Sequence, residues 1–180
     1  MRVITGTAKG VKLKTLEGLS TRPTADRVKE GLFSIIQFEV EGRRALDLFA
    51  GSGQLGIEAL SRGTERAVFV DENPAAVKII RENLEKTRLS DRAQVIRSDY
   101  LSYLRTAGET FDLIFLDPPY AENFQEIALK TISEIDILRR GGIIICEKAA
   151  ERQLPSVLPG LTLMKEYRYG KTVLTIYRKG

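Results

Sequence analysis

Four apolar runs constrain this chain more than any other feature: Ala45-Leu-Asp-Leu-Phe-Ala50, Ala67-Val-Phe-Val-Asp71, Leu113-Ile-Phe-Leu-Asp117 and Gly142-Ile-Ile-Ile-Cys146. Each is almost continuous in apolar side chains, as a strand needs when both of its faces are covered. A strand with one wet face would alternate instead. Between the runs lie stretches with apolar residues at helical spacing. The pattern predicts strands at Arg44–Phe49, Arg66–Asp71, Ala93–Ser98, Phe111–Leu116 and Gly142–Glu147. Helices are expected over Leu55–Arg62, over Pro74–Arg88 with proline in its first turn, and near Phe124–Leu138. Strands that alternate with helices imply right-handed crossovers and a doubly wound, mainly parallel sheet.

The two ends depart from this alternation. Gly6 and Gly10 suggest a turn before the period-two stretch Val11-Lys-Leu-Lys14, so residues 2–15 read as a hairpin. Thr24 stands where a helix running to about Phe38 needs a cap, with Val28, Leu32, Phe33, Ile35 and Ile36 on its apolar side. Leu161–Tyr169 and Thr172–Arg178 are separated only by Gly170 and Lys171, and read as a terminal hairpin at the sheet edge.

Composition removes several classes of chemistry. The chain of 180 residues has no histidine and one cysteine, Cys146. Histidine-based triads, imidazole metal sites, an internal disulfide and thiolate-rich zinc sites are therefore ruled out, and no metal is expected. The opening MRVITGTAKG lacks an apolar segment behind a basic start. No run approaches the roughly 18 apolar residues of a membrane span, so a cytoplasmic protein without membrane contact is expected. The net charge of +4 is carried by residues 1–16, where Arg2, Lys9, Lys12 and Lys14 face no acid. A basic end on a neutral body suits a polyanion such as nucleic acid, and equally a solvated edge that keeps the protein soluble.

An open sheet of this kind binds ligands beyond the carboxyl ends of its strands, here just after Phe49, Val70, Ser98 and Leu116. After the first strand comes Asp47-Leu-Phe-Ala-Gly51-Ser-Gly53-Gln-Leu-Gly56. Glycines there let the main chain turn sharply and approach a ligand, and the following helix offers free amides. The second strand ends in Asp71, an acid placed to accept both hydroxyls of a ribose. Adenosine-cofactor binding follows, with two cofactors in competition. The Gly51, Gly53, Gly56 spacing matches the dinucleotide fingerprint of nicotinamide dehydrogenases. Asp47 ahead of the loop, and the lack of a histidine proton donor, favour S-adenosylmethionine.

The fourth strand runs straight into Asp117-Pro118-Pro119-Tyr120. Two prolines fix φ near −65° and remove two donors, so the turn presents acceptors: the Asp117 carboxylate and the Pro118 carbonyl. An exocyclic amine on a base is a poor nucleophile because its lone pair is delocalised into the ring. Two fixed acceptors on its N–H groups favour a pyramidal nitrogen with the lone pair aimed at a methyl group. Tyr120 can stack on the base. Cys146 reads as a small buried residue and Glu147 as a solvated strand end.

This tetrapeptide after the fourth strand resembles the amino-methyltransferases of adenine, cytosine and guanine. Arg2-Val-Ile-Thr-Gly6 with Lys9-Gly10-x-Lys12-Leu13, Arg22-Pro23-Thr24-x-Asp26-Arg27-Val28-Lys29-Glu30-x-Leu32-Phe33, and Asp47 to Leu60 narrow the match. Over essentially its whole length the chain resembles the bacterial RsmD family, which methylates N2 of a guanine in 16S ribosomal RNA. The resemblance implies S-adenosylmethionine as cofactor and S-adenosylhomocysteine as product. By position, Gly51 and Gly53 lie under the methionine part with Asp47 nearby. Asp71 holds the ribose, Asp99 reaches the adenine amine, and Arg22 and Thr24 close the site. Asp117, Pro118 and Tyr120 form the catalytic turn.

The expected whole is an α/β protein with the Rossmann-like class I methyltransferase fold: a seven-stranded, mainly parallel sheet ending in an antiparallel hairpin, over residues 41–180. A basic hairpin and helix over residues 1–40 precede it, with Lys9, Lys12 and Lys14 lining the RNA path. The expected partner is 16S rRNA within a small-subunit particle, met by a monomer. Adenine-N6 methylation of DNA is the nearest rival, a dinucleotide-binding dehydrogenase a more distant one, and an inactive RNA-binding scaffold a third.

Overall fold

The computed structural model describes residues 1–16, 23–119 and 123–180, and for residues 23–25 the backbone alone. Helix α1 (Pro23–Ile35) leads into β1 (Arg44–Asp47), α2 (Gln54–Ser61), β2 (Arg66–Asp71), α3 (Pro74–Thr87) and β3 (Ala93–Arg97). Then follow α4 (Tyr100–Thr106), β4 (Phe111–Leu116), α5 (Phe124–Ile135) and β5 (Leu138–Ala149). Strands β6 (Val157–Leu158), β7 (Leu161–Tyr169) and β8 (Thr172–Lys179) close the chain.

The strands form one sheet in the order β3-β2-β1-β4-β5-β8-β7-β6. The first five run parallel; β8 enters antiparallel to β5, and β7 and β6 follow antiparallel beyond it. The expected terminal hairpin is there, with its later strand against the parallel sheet. The sheet has eight strands where seven were expected, because Val157–Leu158 adds a two-residue edge that no periodicity could announce.

Alternation along the central strands sorts side chains onto two faces. Phe69, Leu113, Phe115, Ile143 and Ile145 pack with Phe33, Leu60 and Ile80 of α1, α2 and α3. Val68, Val70, Ile114, Leu116, Ile144 and Cys146 pack with Tyr103, Leu129 and Ile132 of α4 and α5. Each such large side chain fully buried contributes about 1.5–3 kcal/mol, which explains why these runs carry so few polar residues. Helix α4 was not anticipated. Asp99 caps it by accepting the Ser102 N–H at 2.9 Å, and Tyr100, Tyr103 and Leu104 bury its inner face.

The N-terminal hairpin forms only one bridge of its own, Arg2 with Lys12. Main-chain bonds from Val3 to Val11, Gly10 to Val3 and Leu13 to Met1 draw its arms together, and helix side chains fasten it to the rest of the fold. The buried Glu58 accepts the N–H groups of Ile4 and Thr5 at 2.8 and 3.0 Å. Ser61 Oγ accepts from Ala8 N–H and donates to the Thr5 carbonyl. Lys29, 2% exposed, donates to the Arg2 carbonyl and lies 3.7 Å from Glu58. Burial pulls the Lys29 ammonium below its ordinary pKa, against the pull of Glu58 and Asp26 in the other direction. No helix among the described residues is long and apolar enough to cross a membrane.

Candidate active site

The strand order reverses between β1 and β4, so the crevice of the sheet opens at their carboxyl ends. Asp47, the last residue of β1, pairs in register with Phe69 and Phe115 on either side. Asp71 and Asp117 each stand two residues beyond those partners. Three acids predicted from different segments thus gather at one end of the sheet.

The glycine loop is held by two of them. Gly51 and Gly53 have φ of 55° and 78°, the left-handed region that favours glycine. The Gly51 N–H donates to Asp71 Oδ2 at 2.8 Å, and the Gly56 N–H donates to Asp47 Oδ2 at 3.0 Å. The other Asp71 oxygen accepts the Asn73 N–H at 2.9 Å. Each carboxylate oxygen keeps a second lone pair, so Asp71 can still accept two hydroxyl donors. Two of the three glycines have separate duties. A Cβ on Gly56 would stand 2.3 Å from the Phe69 ring, so this glycine lets α2 lie directly on β2. A Cβ on Gly51 would meet nothing within 4 Å. Open space beside a turned main chain, with a diol acceptor at its edge, fits the adenosine and methionine parts of S-adenosylmethionine.

Burial controls the electrostatics. Asp47 is 2% exposed, and burial pushes its carboxyl up to about 7; the Gly56 N–H opposes this and the Asp71 charge adds to it. Asp117 is half-buried, and its carboxyl also rises well above the ordinary carboxylate range. Burial is the main cause there, followed by the charges of Glu147 and then Asp47. Leu116 pairs with Cys146, so Asp117 and Glu147 follow side by side as β4 and β5 end. Glu147 is half-buried beside Asp117, not the solvated strand end expected of it.

Two further features escaped the sequence. Gln125, 2% exposed, donates through Nε2 to the carbonyls of Leu116 at 3.2 Å and Glu147 at 2.5 Å. It ties the ends of β4 and β5 together under the Asp117 turn, and its only sequence signal is a polar residue on a helix face that otherwise buries. Phe49, Tyr100 and Phe124 form a trio of rings with centroids 5.0 to 6.0 Å apart, brought together from the segments after β1, β3 and β4.

Pro118 is buried and Pro119 exposed. Asp99 is exposed and spends one carboxylate oxygen on the α4 cap. Arg22, Tyr120 and the side chain of Thr24 lie outside the described residues. Lys9 and Lys12 are exposed on the hairpin, whereas Lys14 is engaged by Glu82 at 2.6 Å.

A family model described as Conserved hypothetical protein 95 matches residues 1–178. YlbH of Bacillus subtilis is 44% identical over 182 residues, covering 99% of both chains. Ribosomal RNA small subunit methyltransferase D of Haemophilus influenzae is 35% identical, covering 99% of this chain and 93% of its own. The chain belongs to the RsmD family. Membership sets the dehydrogenase reading aside and marks the chain as a ribosomal RNA methyltransferase that uses S-adenosylmethionine. The fold extends further. The Thermus thermophilus 16S rRNA N2 G1207 methyltransferase RsmC, solved with AdoMet and guanosine, matches with a TM-score of 0.75 at 22% identity. That match covers 92% of this chain and 45% of RsmC, and it identifies the Rossmann-like methyltransferase fold.

Proposed function

We propose that this protein transfers the methyl group of S-adenosylmethionine to the exocyclic N2 amine of a guanine in 16S ribosomal RNA, leaving S-adenosylhomocysteine. The observation that carries the reading is the position of Asp117. It follows β4 at the point where strand order reverses, and its carboxyl feels the charge of Asp47 at the foot of the glycine loop. Donor and acceptor of the methyl group therefore meet in one crevice.

Bound S-adenosylmethionine supplies an electrophilic methyl group on a sulfonium. The residues that hold it are Asp47, Gly51, Gly53, Asp71 and Asp99, with Arg22 and Thr24 at its methionine end. The Asp117 carboxylate and the Pro118 carbonyl accept the two N–H groups of the guanine amine. Pro118 and Pro119 add no donors that would compete for those acceptors. After transfer the nitrogen must lose a proton. A carboxylate whose pKa has been raised by burial is a better acceptor for it than an exposed one. Tyr120 gives the base a face to stack on.

Residues 1–40 form the extension that meets the RNA, with Lys9, Lys12 and Lys14 along the phosphate path, and residues 41–180 hold the chemistry. The protein acts as a monomer in the cytoplasm, on rRNA within a small-subunit particle.

Labelled S-adenosylmethionine offered in parallel to small-subunit particles, naked rRNA and duplex DNA, with nucleoside analysis of the product, tests this. N2-methylguanosine in a ribosomal sample is the expected result. Label recovered as N6-methyladenine in DNA would keep the crevice and overturn the target.

A further inference from the structure

The mechanism leaves Asn83 unused, yet it is fully buried on α3 and all three of its side-chain hydrogen bonds go to main chain. Its Oδ1 accepts the Lys14 N–H at 2.8 Å and its Nδ2 donates to the Lys14 carbonyl at 3.0 Å. This reciprocal pair is what a neighbouring strand would offer Lys14. The second proton on Nδ2 goes to the Ser52 carbonyl at 2.9 Å, between Gly51 and Gly53. One amide thus holds Lys14, near the end of the N-terminal hairpin, and the centre of the glycine loop. Two neighbours on the same helix support the arrangement: Lys86 donates to the Lys12 carbonyl, and Glu82 pairs with Lys14 Nζ. From the other arm of the hairpin, Met1 Sδ accepts from the Ser52 hydroxyl at 3.6 Å.

We propose that Asn83 is a positioning residue that couples the two substrates: it transmits the set of the glycine loop, which the cofactor fixes, to the hairpin that meets RNA. The proposal rests on the reading of loop and hairpin given above. Only an amide does this. It must accept from one N–H and donate to two carbonyls from a fully buried side chain, and at the Ser52 carbonyl an unmade hydrogen bond is not replaced by solvent. A shift of Ser52 as the loop closes on its ligand therefore moves Nδ2, and through it Lys14. Because binding linkage is reciprocal, RNA held by the hairpin must tighten cofactor binding by the same factor.

The test measures RNA binding with and without saturating S-adenosylhomocysteine, and S-adenosylhomocysteine binding with and without RNA, in the wild-type protein and in Asn83→Ala. The wild type is expected to show coupling of at least about fivefold in both directions. The variant is expected to keep the intrinsic affinity of each ligand within about threefold and to bring the coupling factor near one. A residue that merely holds the fold would lower both affinities and leave their ratio alone, which would overturn the proposal. Should Asn83→Ala fail to fold, hydrogen exchange on the wild-type protein gives the answer. S-adenosylhomocysteine is expected to slow exchange of the Lys14 amide together with the amides of residues 51–56. Protection of the loop without Lys14 would sink the coupling but leave the cofactor reading intact. No protection of the loop would remove the cofactor reading and the coupling together.

Discussion

Asp47 and Gly56 are joined by a 3.0 Å hydrogen bond that crosses the glycine loop, the Gly56 N–H donating to a carboxylate nine residues before it. The bond holds the turn at both ends, and it does so with an acid that burial pushes up to about 7. The unfolded chain would titrate the same group near 3.8. Between those values the folded state binds the extra proton, so this group makes stability fall as pH rises through that window.

Asp47→Asn removes that slope. Asparagine can still accept the Gly56 N–H, so the stability difference between variant and wild type should shift in favour of the variant from pH 4 to pH 8. The bound on the shift is about 4 kcal/mol, taken from about 1.4 kcal/mol per unit. Urea unfolding of both proteins at the two pH values reads it directly. A difference that does not change with pH would show that Asp47 titrates normally in the fold.

Asp117→Ala should leave S-adenosylhomocysteine binding within a few-fold of wild type and lower turnover by about 10²–10⁴, the range of a lost proton-transfer and orienting group. Calorimetry for binding and single-turnover methyl transfer for the rate separate the two. In the wild type the rate should fall as pH drops and Asp117 takes up a proton, with an acid limb above the ordinary carboxylate range. A limb near pH 4 would contradict the influence of burial and Glu147.

Two of the loop glycines should fail in different ways. Gly56→Ala forces a methyl group onto the Phe69 ring and should cost about 1–3 kcal/mol of stability. Gly51→Ala meets no atom, but the left-handed backbone penalises it by about 1–2 kcal/mol, and the methyl group enters the space assigned to the cofactor. Thermal melts and cofactor titration on both variants should show Gly51→Ala losing more affinity than Gly56→Ala for a similar loss of stability.

Neutralising Lys9 and Lys12 to glutamine should weaken RNA binding and lower the slope of log K against log salt by about 0.7–0.9 for each phosphate no longer neutralised. Lys14, already paired with Glu82, should add less than either. Titrations at several salt concentrations decide this, and an unaltered slope would make the lysines a solvated edge.

The parallel strands were legible because burial on both faces writes an unbroken apolar run. Both Arg66–Asp71 and Phe111–Leu116 have the ends that such runs suggested. Asp47, Gly51, Asp71 and Asp117 followed once those strands were placed, since their ends define the crevice. What stayed hidden depends on tertiary partners. Helix α4 is seven residues long, too short for its apolar spacing to stand out, and Tyr100, Tyr103 and Leu104 are buried only by the packing around it. The hairpin over residues 2–15 shows strand alternation, yet Glu58, Ser61 and Asn83 on distant helices anchor it alongside its own main-chain bonds. Gln125 makes sense only when the ends of β4 and β5 lie side by side.

Cys146 pairs with Leu116 on one side and Thr175 on the other, in the middle of the sheet where its parallel part meets its antiparallel part. It is fully buried, its thiol is held protonated by burial, and it is the only sulfhydryl in the chain. The protein thus carries a natural clock for its own breathing: each molecule a thiol reagent labels has lifted the helix layer of α4 and α5 from its face of the sheet, and labelling rates with and without ligand time how often it lifts.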